Sequence, residues 1–144
     1  MLKISTKGRY ALRIMIDLAH HLEDGPVSLR AVAERQNVTL KYMECIMSLL
    51  LREELVVSSR GKSGGYKLTR EPKDYNVYEI LHAAEGNLAP VQCLATAVND
   101  CPLQSSCPTL PMWEGLDKIV QEFLKGYTLD RLVKEDSREH RCSE

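Results

Sequence analysis

The sequence predicts a mainly α-helical fold, and three observations favour this class. Two short segments with apolar residues at helical spacing, 29–36 and 40–55, are separated by a tight turn. Two β-prone segments, 56–59 and 66–69, flank a basic, glycine-rich stretch, as in a hairpin. A long helical segment near the C terminus carries a broad apolar stripe. We therefore expect a winged helix-turn-helix with a small β-hairpin wing, followed by a long C-terminal helix.

The first helix is expected over 6–22, with Ser5 or Thr6 as its N-cap and Asp24-Gly25-Pro26 as its stop. Its apolar residues recur at helical spacing and are expected to face the core. They are Ala11, Leu12, Met15, Leu18, Ala19 and Leu22.

The helix-turn-helix follows, and its ends carry recognisable signals. Ser28 is expected to cap the second helix, Asn37 to take the left-handed turn, and Thr39 to cap the third. The third helix is expected to bury Met43, Ile46, Met47 and Leu50. Its outer face then consists of Lys41, Glu44, Cys45, Ser48 and Arg52.

The remaining helices flank a polar loop. Asn76 and Glu79 form an N-terminal cap signal for a helix that ends at Gly86. The long C-terminal helix is expected to begin within 108–111 and to end near Lys125. Its apolar stripe comprises Trp113, Leu116, Ile119, Val120, Phe123 and Leu124.

Three regions result. Residues 1–73 are expected to form the winged helix-turn-helix, and residues 74–133 to contain the polar loop and the last helices. Thr128 is expected to cap a short closing helical segment within this second region. The charged residues 134–144 contain almost no apolar side chains, so a disordered tail is expected there.

The charge distribution separates the two main regions. Residues 1–73 carry 13 Lys and Arg against 8 Asp and Glu, a net +5, whereas residues 74–144 carry 6 against 12, a net −6. The first region is therefore suited to a polyanion. The 144-residue chain has no apolar run of the roughly 20 residues that span a membrane, so a cytoplasmic protein is expected. We recognise no acid–base pair or nucleophile arrangement, and an enzyme is not expected.

The third helix and the hairpin together indicate DNA binding. A solvated polar face alone would explain the helix, but a basic wing beside it favours entry into a DNA groove. Glu44 fits an acceptor for a cytosine amino group, because a carboxylate is otherwise repelled by phosphate. The candidate DNA-binding residues are Thr39, Lys41, Tyr42, Glu44 and Ser48 on the helix, Arg60 and Lys62 on the wing, and Lys3, Lys7 and Arg9 near the N terminus.

Three cysteines, Cys93, Cys101 and Cys107, share the short polar loop before the last long helix. In a reducing cytoplasm such a trio is typical of metal binding or redox sensing rather than of disulfides. Thiolates hold iron–sulfur clusters, and a thiol near a helix N terminus has a lowered pKa. The alternatives are a winged-helix regulator that uses the cysteines as redox thiols or as a zinc site, and a cluster carrier or protein-interaction module that does not bind DNA. The cysteines could also be three buried small side chains.

Four motifs resemble the IscR-type and NsrR-type winged-helix regulators of bacteria. They are Thr6-Lys7-Gly8-Arg9-Tyr10-Ala11-Leu12, Tyr42-Met43-Glu44, Arg60-Gly61-Lys62-Ser63-Gly64-Gly65-Tyr66, and the three-cysteine loop ahead of Trp113. The resemblance extends from Met1 to about Val133. It implies a homodimeric transcription regulator, typically a repressor, that pairs through the long C-terminal helix and binds a palindromic operator in double-stranded DNA.

The same resemblance implies an iron–sulfur cluster, of two or four irons, held by Cys93, Cys101 and Cys107. It also implies that Glu44 helps to set the choice of DNA site and that Arg60 enters the minor groove. Two positions depart from the family pattern. Leu110 stands where IscR-type members have a histidine ligand, and Arg9 stands where NsrR-type members have a carboxylate. Candidates for the fourth ligand are Asn99, Asp100, Glu85 and a thiol outside the loop.

Overall fold

The computed structural model describes residues 2–141, with the side chains of residues 2–137. Six helices and one hairpin are present in this part of the chain. The helices are α1 Thr6–His20, α2 Leu29–Gln36, α3 Leu40–Arg52, α4 Val77–Glu85, α5 Leu110–Lys125 and α6 Leu129–Arg141, and the strands are β1 Val56–Ser59 and β2 Gly65–Leu68. This architecture confirms the predicted mainly α-helical fold with a small wing. None of the helices in the described range is long and apolar enough to cross a bilayer.

Short-range capping fixes the helix-turn-helix as predicted. The Ser28 hydroxyl accepts a hydrogen bond from the Ala31 N–H at 3.2 Å and so caps α2. Asn37 ends that helix in the left-handed conformation, with φ of 53°. The Thr39 hydroxyl accepts from the Tyr42 N–H at 3.2 Å and starts α3. Residues within the motif therefore specify where α2 ends, where the chain turns and where α3 begins.

The wing is tied to the segment that precedes α2. Its two strands pair antiparallel, from Val56 opposite Leu68 to Ser59 opposite Gly65. Val27 and Tyr66 exchange two backbone hydrogen bonds, each of 2.8 Å. Gly65 has a φ of 155°, and a Cβ there would lie 2.3 Å from the Val27 carbonyl oxygen. Glycine is thus required at this position for the wing to pair with the helix-turn-helix.

The main core joins both predicted regions of the chain. The four apolar residues predicted to face inward on α3 are all at most 1% exposed. Side chains of α1, α2, α4 and α6 complete the same cluster. Its largest fully buried members are Ile14, Met15, Leu18, Val32, Met43, Ile46, Met47, Leu50, Tyr75, Ile80 and Leu129. The helix-turn-helix therefore rests directly on the helices that flank the cysteines.

Several element ends differ from those predicted. Helix α1 ends at His20 rather than at residue 22, and α3 ends at Arg52 rather than near Leu55. The chain reverses after α3 because Glu54 adopts a left-handed conformation, with φ of 57°. The Asn76 and Glu79 side chains form the predicted capping box at the start of α4.

The expected disordered tail needs correction. Helix α6 continues from Leu129 through residue 134 to Arg141. Ion pairs one turn apart stabilise it, between Lys134 and Asp130 at 2.8 Å and between Arg131 and Glu135 at 3.3 Å. An apolar stripe is therefore not needed to keep this segment helical. Residues 142–144, including Cys142, lie outside the described residues.

Candidate nucleic-acid interface and cysteine loop

The outer face of α3 is polar and accessible at its N-terminal end. Thr39, Lys41, Glu44 and Ser48 are exposed there. Tyr42 is only half-buried by contrast, because its ring packs edge-to-face against Tyr10, with centroids 5.8 Å apart and an interplanar angle of 89°. Tyr42 thus anchors α3 to α1 and leaves its neighbours available for contacts.

The wing tip, residues 60–64, presents two exposed cations. Arg60 and Lys62 flank Gly61, which has a φ of 104°. The Gly64 N–H donates to the Gly61 carbonyl at 3.1 Å and closes the turn. A side chain at residue 64 would meet the Ser59 carbonyl oxygen at 2.3 Å. The narrow turn therefore projects only its cationic side chains and small residues, as insertion into a DNA groove requires.

The third predicted group of cations lies at the start of α1. Lys3 and Arg9 are exposed and Lys7 is half-buried. The Arg9 guanidinium donates to the Thr6 hydroxyl at 3.1 Å. We call Lys3, Lys7 and Arg9 the N-terminal basic segment.

Arg13 joins this surface and did not figure among the predicted residues. Its guanidinium lies 4.9 Å from the centroid of the Tyr10 ring, which in turn contacts Tyr42 at the start of α3. The signal was present in the sequence, because Arg9 and Arg13 are one helical turn apart and share a face. Arg13 thus adds a cation beside the recognition helix.

An ion pair between a buried carboxylate and a partly exposed guanidinium holds α1 against α2. Arg35 donates two hydrogen bonds to the carboxylate of Asp17, at 2.8 and 2.6 Å, and the Asp17 side chain is 5% exposed. The Gln36 amide donates a third, at 3.3 Å. The hydrogen bond to Asp17 raises the pKa of the Arg35 guanidinium. Among the described residues Asp17 is the only charged residue that is buried, so its pairing with Arg35 fixes α2 against α1.

The cysteine loop, residues 93–107, contains two short 3₁₀ turns, Gln92–Leu94 and Gln104–Ser106. Its three cysteines are half-buried free thiols. The Cys101 N–H donates to the side-chain oxygen of Asn99 at 3.0 Å. The Sγ of Cys107 lies 3.4 Å from the hydroxyl of Thr109, the residue that precedes α5. Hydrogen bonding from Thr109 lowers the pKa of the Cys107 thiol.

The thiols do not converge on one centre in this conformation. Within residues 2–137, no group of three or more His, Cys, Asp or Glu side chains is placed to hold a metal ion. Glu85, a candidate fourth ligand, instead accepts hydrogen bonds from Ser5 and Gly8. Leu110 is the first residue of α5. The described conformation therefore does not fit an assembled cluster site, although it does carry the donors on one loop.

Helix α5 leaves half of its predicted apolar stripe exposed, and Met112 extends this exposed part. None of its residues is buried. The exposed fractions of Met112, Leu116, Ile119 and Phe123 are 57%, 37%, 66% and 65%. Their spacing of four, three and four residues puts them on one side of the helix, and we call this set the α5 stripe. A contiguous apolar surface of this kind is typical of an interface with another protein chain.

Comparison with known proteins agrees with this surface chemistry. The family model Rrf2, described as an iron-dependent transcriptional regulator, matches residues 4–135. The chain belongs to the Rrf2 family. The transcriptional regulator IscR of Photobacterium profundum is 35% identical over 136 residues, which cover 94% of this chain and 78% of that protein. An Rrf2 protein is a transcription regulator rather than an enzyme, so both predictions are confirmed.

Two solved structures show the same fold. CymR of B. subtilis, the global cysteine regulator, has a TM-score of 0.75 and 37% identity, with coverage of 94% of this chain and 98% of CymR. IscR of T. potens has a TM-score of 0.69 and 36% identity, with coverage of 94% and 88%. The predicted resemblance to IscR-type regulators is confirmed at the level of family and fold.

Proposed function

We propose that this Rrf2 regulator inserts the N-terminal end of α3 into the major groove and lays its wing on the minor groove or its phosphates. The observation that supports this most strongly is the exposed polar face of α3 next to the cationic wing tip. Thr39, Lys41 and Ser48 supply donors and acceptors for base edges, and Glu44 supplies an acceptor for cytosine. Arg60, Lys62 and the N-terminal basic segment supply the charge that neutralises phosphates.

We further propose that two copies pair through the α5 stripe. A monomer would leave four large apolar side chains in water, whereas a second α5 packed against them would bury this surface in both copies. Two-fold pairing presents two α3 helices to the same side of a duplex. The operator is then expected to be palindromic, with half-sites about one helical turn apart or a multiple of it.

The cysteine loop is proposed as the sensing element, and an iron–sulfur cluster is the proposed cofactor. Three thiols on one loop and the iron-dependent description of the family favour this assignment. The thiols of the described conformation are not converged, so cluster binding requires the loop to rearrange. Anaerobically purified protein is expected to be coloured and to contain iron and sulfide. Colourless protein with one zinc per chain would rule out the cluster.

A thiol sensor is the second candidate, because one observation favours it specifically. The lowered pKa of Cys107 keeps more of its thiol in the nucleophilic thiolate form near neutral pH. Similarity to CymR, the global cysteine regulator of B. subtilis, is consistent with sulfur-linked regulation. Protein without iron whose DNA binding changes on reversible oxidation of the loop thiols would favour this candidate over the cluster.

DNA binding itself is tested by its dependence on salt. The logarithm of the association constant should fall linearly with the logarithm of the salt concentration, with a slope of about −0.9 for each phosphate contacted. Fluorescence anisotropy with a duplex selected from a random-sequence pool measures this slope. Binding that is insensitive to salt would contradict the regulator assignment.

A further inference from the structure

Glu85 connects the helix before the cysteine loop to the start of α1. Its Oε1 atom accepts three hydrogen bonds, from the Ser5 N–H at 2.8 Å, the Ser5 hydroxyl at 2.7 Å and the Gly8 N–H at 3.1 Å. The first N–H groups of a helix have no partner within the helix, and its N terminus attracts negative charge. Ser5 occupies the N-cap position but makes no cap bond of its own. The carboxylate of Glu85, at the end of α4, therefore caps α1.

This contact requires glycine at position 8. A Cβ on Gly8 would lie 2.3 Å from the Oε1 atom of Glu85 and 3.2 Å from a methyl carbon of Ile4. Gly8 is buried between Lys7 and Arg9, two members of the N-terminal basic segment. The Glu85 carboxylate thus reaches the backbone in the middle of that segment.

The residues after Glu85 are tied to the cysteine loop. The side-chain amide of Asn87 donates to the carbonyl of Ala95, two residues beyond Cys93, and its oxygen accepts from the Ala89 N–H at 2.6 Å. Leu88 is 3% exposed and belongs to a small apolar cluster that also includes Ile4. The first turn of the cysteine loop, Glu85 and the residues around Ser5 are therefore in continuous contact.

We propose that Glu85 is the positioning residue that transmits the state of the cysteine loop to the N-terminal basic segment, and through it to DNA affinity. This inference rests on the proposed function of a DNA-binding regulator with a sensing loop. Displacement of the loop pulls on Asn87 and withdraws the Glu85 carboxylate from the N terminus of α1. The uncapped turn then loses the fixed orientation of Lys3, Lys7 and Arg9. Such coupling is reciprocal, so DNA binding also restrains the loop.

The test compares the DNA response of two variants that each remove one carboxylate. The reference is the full chain with Cys45→Ser and Cys142→Ser, so that N-ethylmaleimide modifies only the loop thiols. Glu85→Gln is the test variant, and Glu114→Gln, which removes an exposed carboxylate of α5, is the matched control. For each protein, anisotropy with the selected duplex gives the dissociation constant before and after modification of the loop.

In the reference, modification should change the dissociation constant by about tenfold, which lies within the usual range of allosteric coupling. The change should persist in Glu114→Gln and nearly vanish in Glu85→Gln, and Glu85→Asp should restore part of it. A merely structural role would lower the affinity of Glu85→Gln in both states without changing their ratio. Ser5→Ala, which removes only the hydroxyl donor, should reduce the ratio in part and extends the test if Glu85→Gln does not fold.

Equal ratios in the reference and in Glu85→Gln would overturn the role of Glu85 and leave the regulator assignment intact. A reference that binds DNA but does not respond to loop modification would also overturn the coupling. A reference that shows no salt-dependent DNA binding would instead overturn the proposed function, and the coupling with it. Three measurements distinguish these results. They are DNA binding by the unmodified reference, the response of the reference to loop modification, and the response of Glu85→Gln.

Discussion

Two regions differ in how many of their groups find a partner within one chain. One is the helix-turn-helix with its wing, and the other is the cysteine loop with α5. The helix-turn-helix has capped ends, a closed wing and a buried apolar side. Helix α5, by contrast, buries none of its residues, and the loop before it holds three free thiols. The first region therefore caps its helix ends and buries its apolar side within one chain. The second leaves the α5 stripe exposed among the described residues, and the side-chain partner of its Cys107 thiol is a neighbouring hydroxyl, that of Thr109.

This difference indicates where regulation can act. A surface that recognises DNA bases must be held rigid by a packed core. A sensor instead needs an element that has more than one arrangement of similar free energy. Within the described residues, the side-chain hydrogen bonds of the loop join groups at most eight residues apart in sequence, and the one from Asn87 to Ala95 spans this greatest separation. The predictions below test how far each region depends on contacts made within one chain.

The largest effect is expected from Arg35→Ala, which leaves the buried carboxylate of Asp17 without its cation. Leaving a buried carboxylate without its main hydrogen-bond donor costs about 2–3 kcal/mol of unfolding free energy, although the Arg35 side chain itself is 38% exposed. Arg52→Ala is the matched control, because Arg52 and Glu53 form an exposed pair at 3.4 Å, and such pairs contribute under about 1 kcal/mol. Urea denaturation at one protein concentration measures both. Equal losses in the two variants would contradict the orienting role of the Asp17 pair.

The second prediction concerns the region that one chain leaves unfinished. Phe123→Asp should weaken dimerisation by about 2 kcal/mol or more, because it replaces a large apolar side chain of the proposed interface by a charge. Sedimentation equilibrium measures the dimer constant, and Lys118→Gln on the exposed polar side of α5 is the control. The unfolding free energy of the separated chain should change little, since Phe123 is 65% exposed. A wild-type protein that stays monomeric would exclude pairing through the α5 stripe.

The predictable parts of the fold depend on residues close together in sequence. Ser28, Asn37, Thr39 and the pair Asn76 and Glu79 act within three residues of their partners, so their patterns identify the helix ends directly. Helix α6 continues past residue 134 with local and distant support, because Lys134 and Glu135 pair with residues one turn earlier and Asp136 contacts the His20 ring of α1 at 2.7 Å. Apolar spacing alone missed it, because charge pairs can support a helix without an apolar face.

The contacts that tie these elements together were not predictable from one sequence. Glu85 lies 80 residues from Ser5, and Arg35 lies 18 residues from Asp17. No local signal distinguishes these carboxylates from solvated ones. The same holds for the candidate site, since the sequence identifies the outer face of α3 and the loop cysteines but not the spatial relation between the thiols. Glu85 illustrates this, because it was a candidate ligand in the sequence and is a helix cap in the structure.

The third prediction separates affinity from specificity within the DNA-facing region. Arg60→Ala should weaken binding to most duplexes by about 1 kcal/mol and reduce the salt slope by about 1, because it removes a phosphate or minor-groove contact. Glu44→Ala should instead relax discrimination at particular bases by about 1–3 kcal/mol. Anisotropy on a set of single-base variants of the selected duplex distinguishes the two patterns. Uniform losses for both variants would contradict the assigned roles.

The smallest expected effect concerns the thiol of Cys107. It tests whether residues next to this cysteine in sequence set the pKa of the thiol. Thr109→Val removes the hydroxyl that stabilises the Cys107 thiolate, so the pKa of Cys107 should rise. Because the thiolate is the reactive form, the pH profile of Cys107 alkylation should move to higher pH. Mass spectrometry of the iodoacetamide-labelled peptide gives this profile.

Thr96→Val is the matched control for that experiment, because the Thr96 hydroxyl donates to the Val98 carbonyl at 2.8 Å within the same loop. Its Cys107 profile should remain that of the wild type. An identical shift in both variants would mean that loosening the loop, rather than losing one hydrogen bond, controls the thiol. A shift confined to Thr109→Val would mean that the start of α5 holds one sulfur in its reactive form before any partner or cofactor arrives. The two regions would then differ in how much of their apolar surface is buried within one chain. In both, local hydrogen bonds would set the properties of the functional side chains.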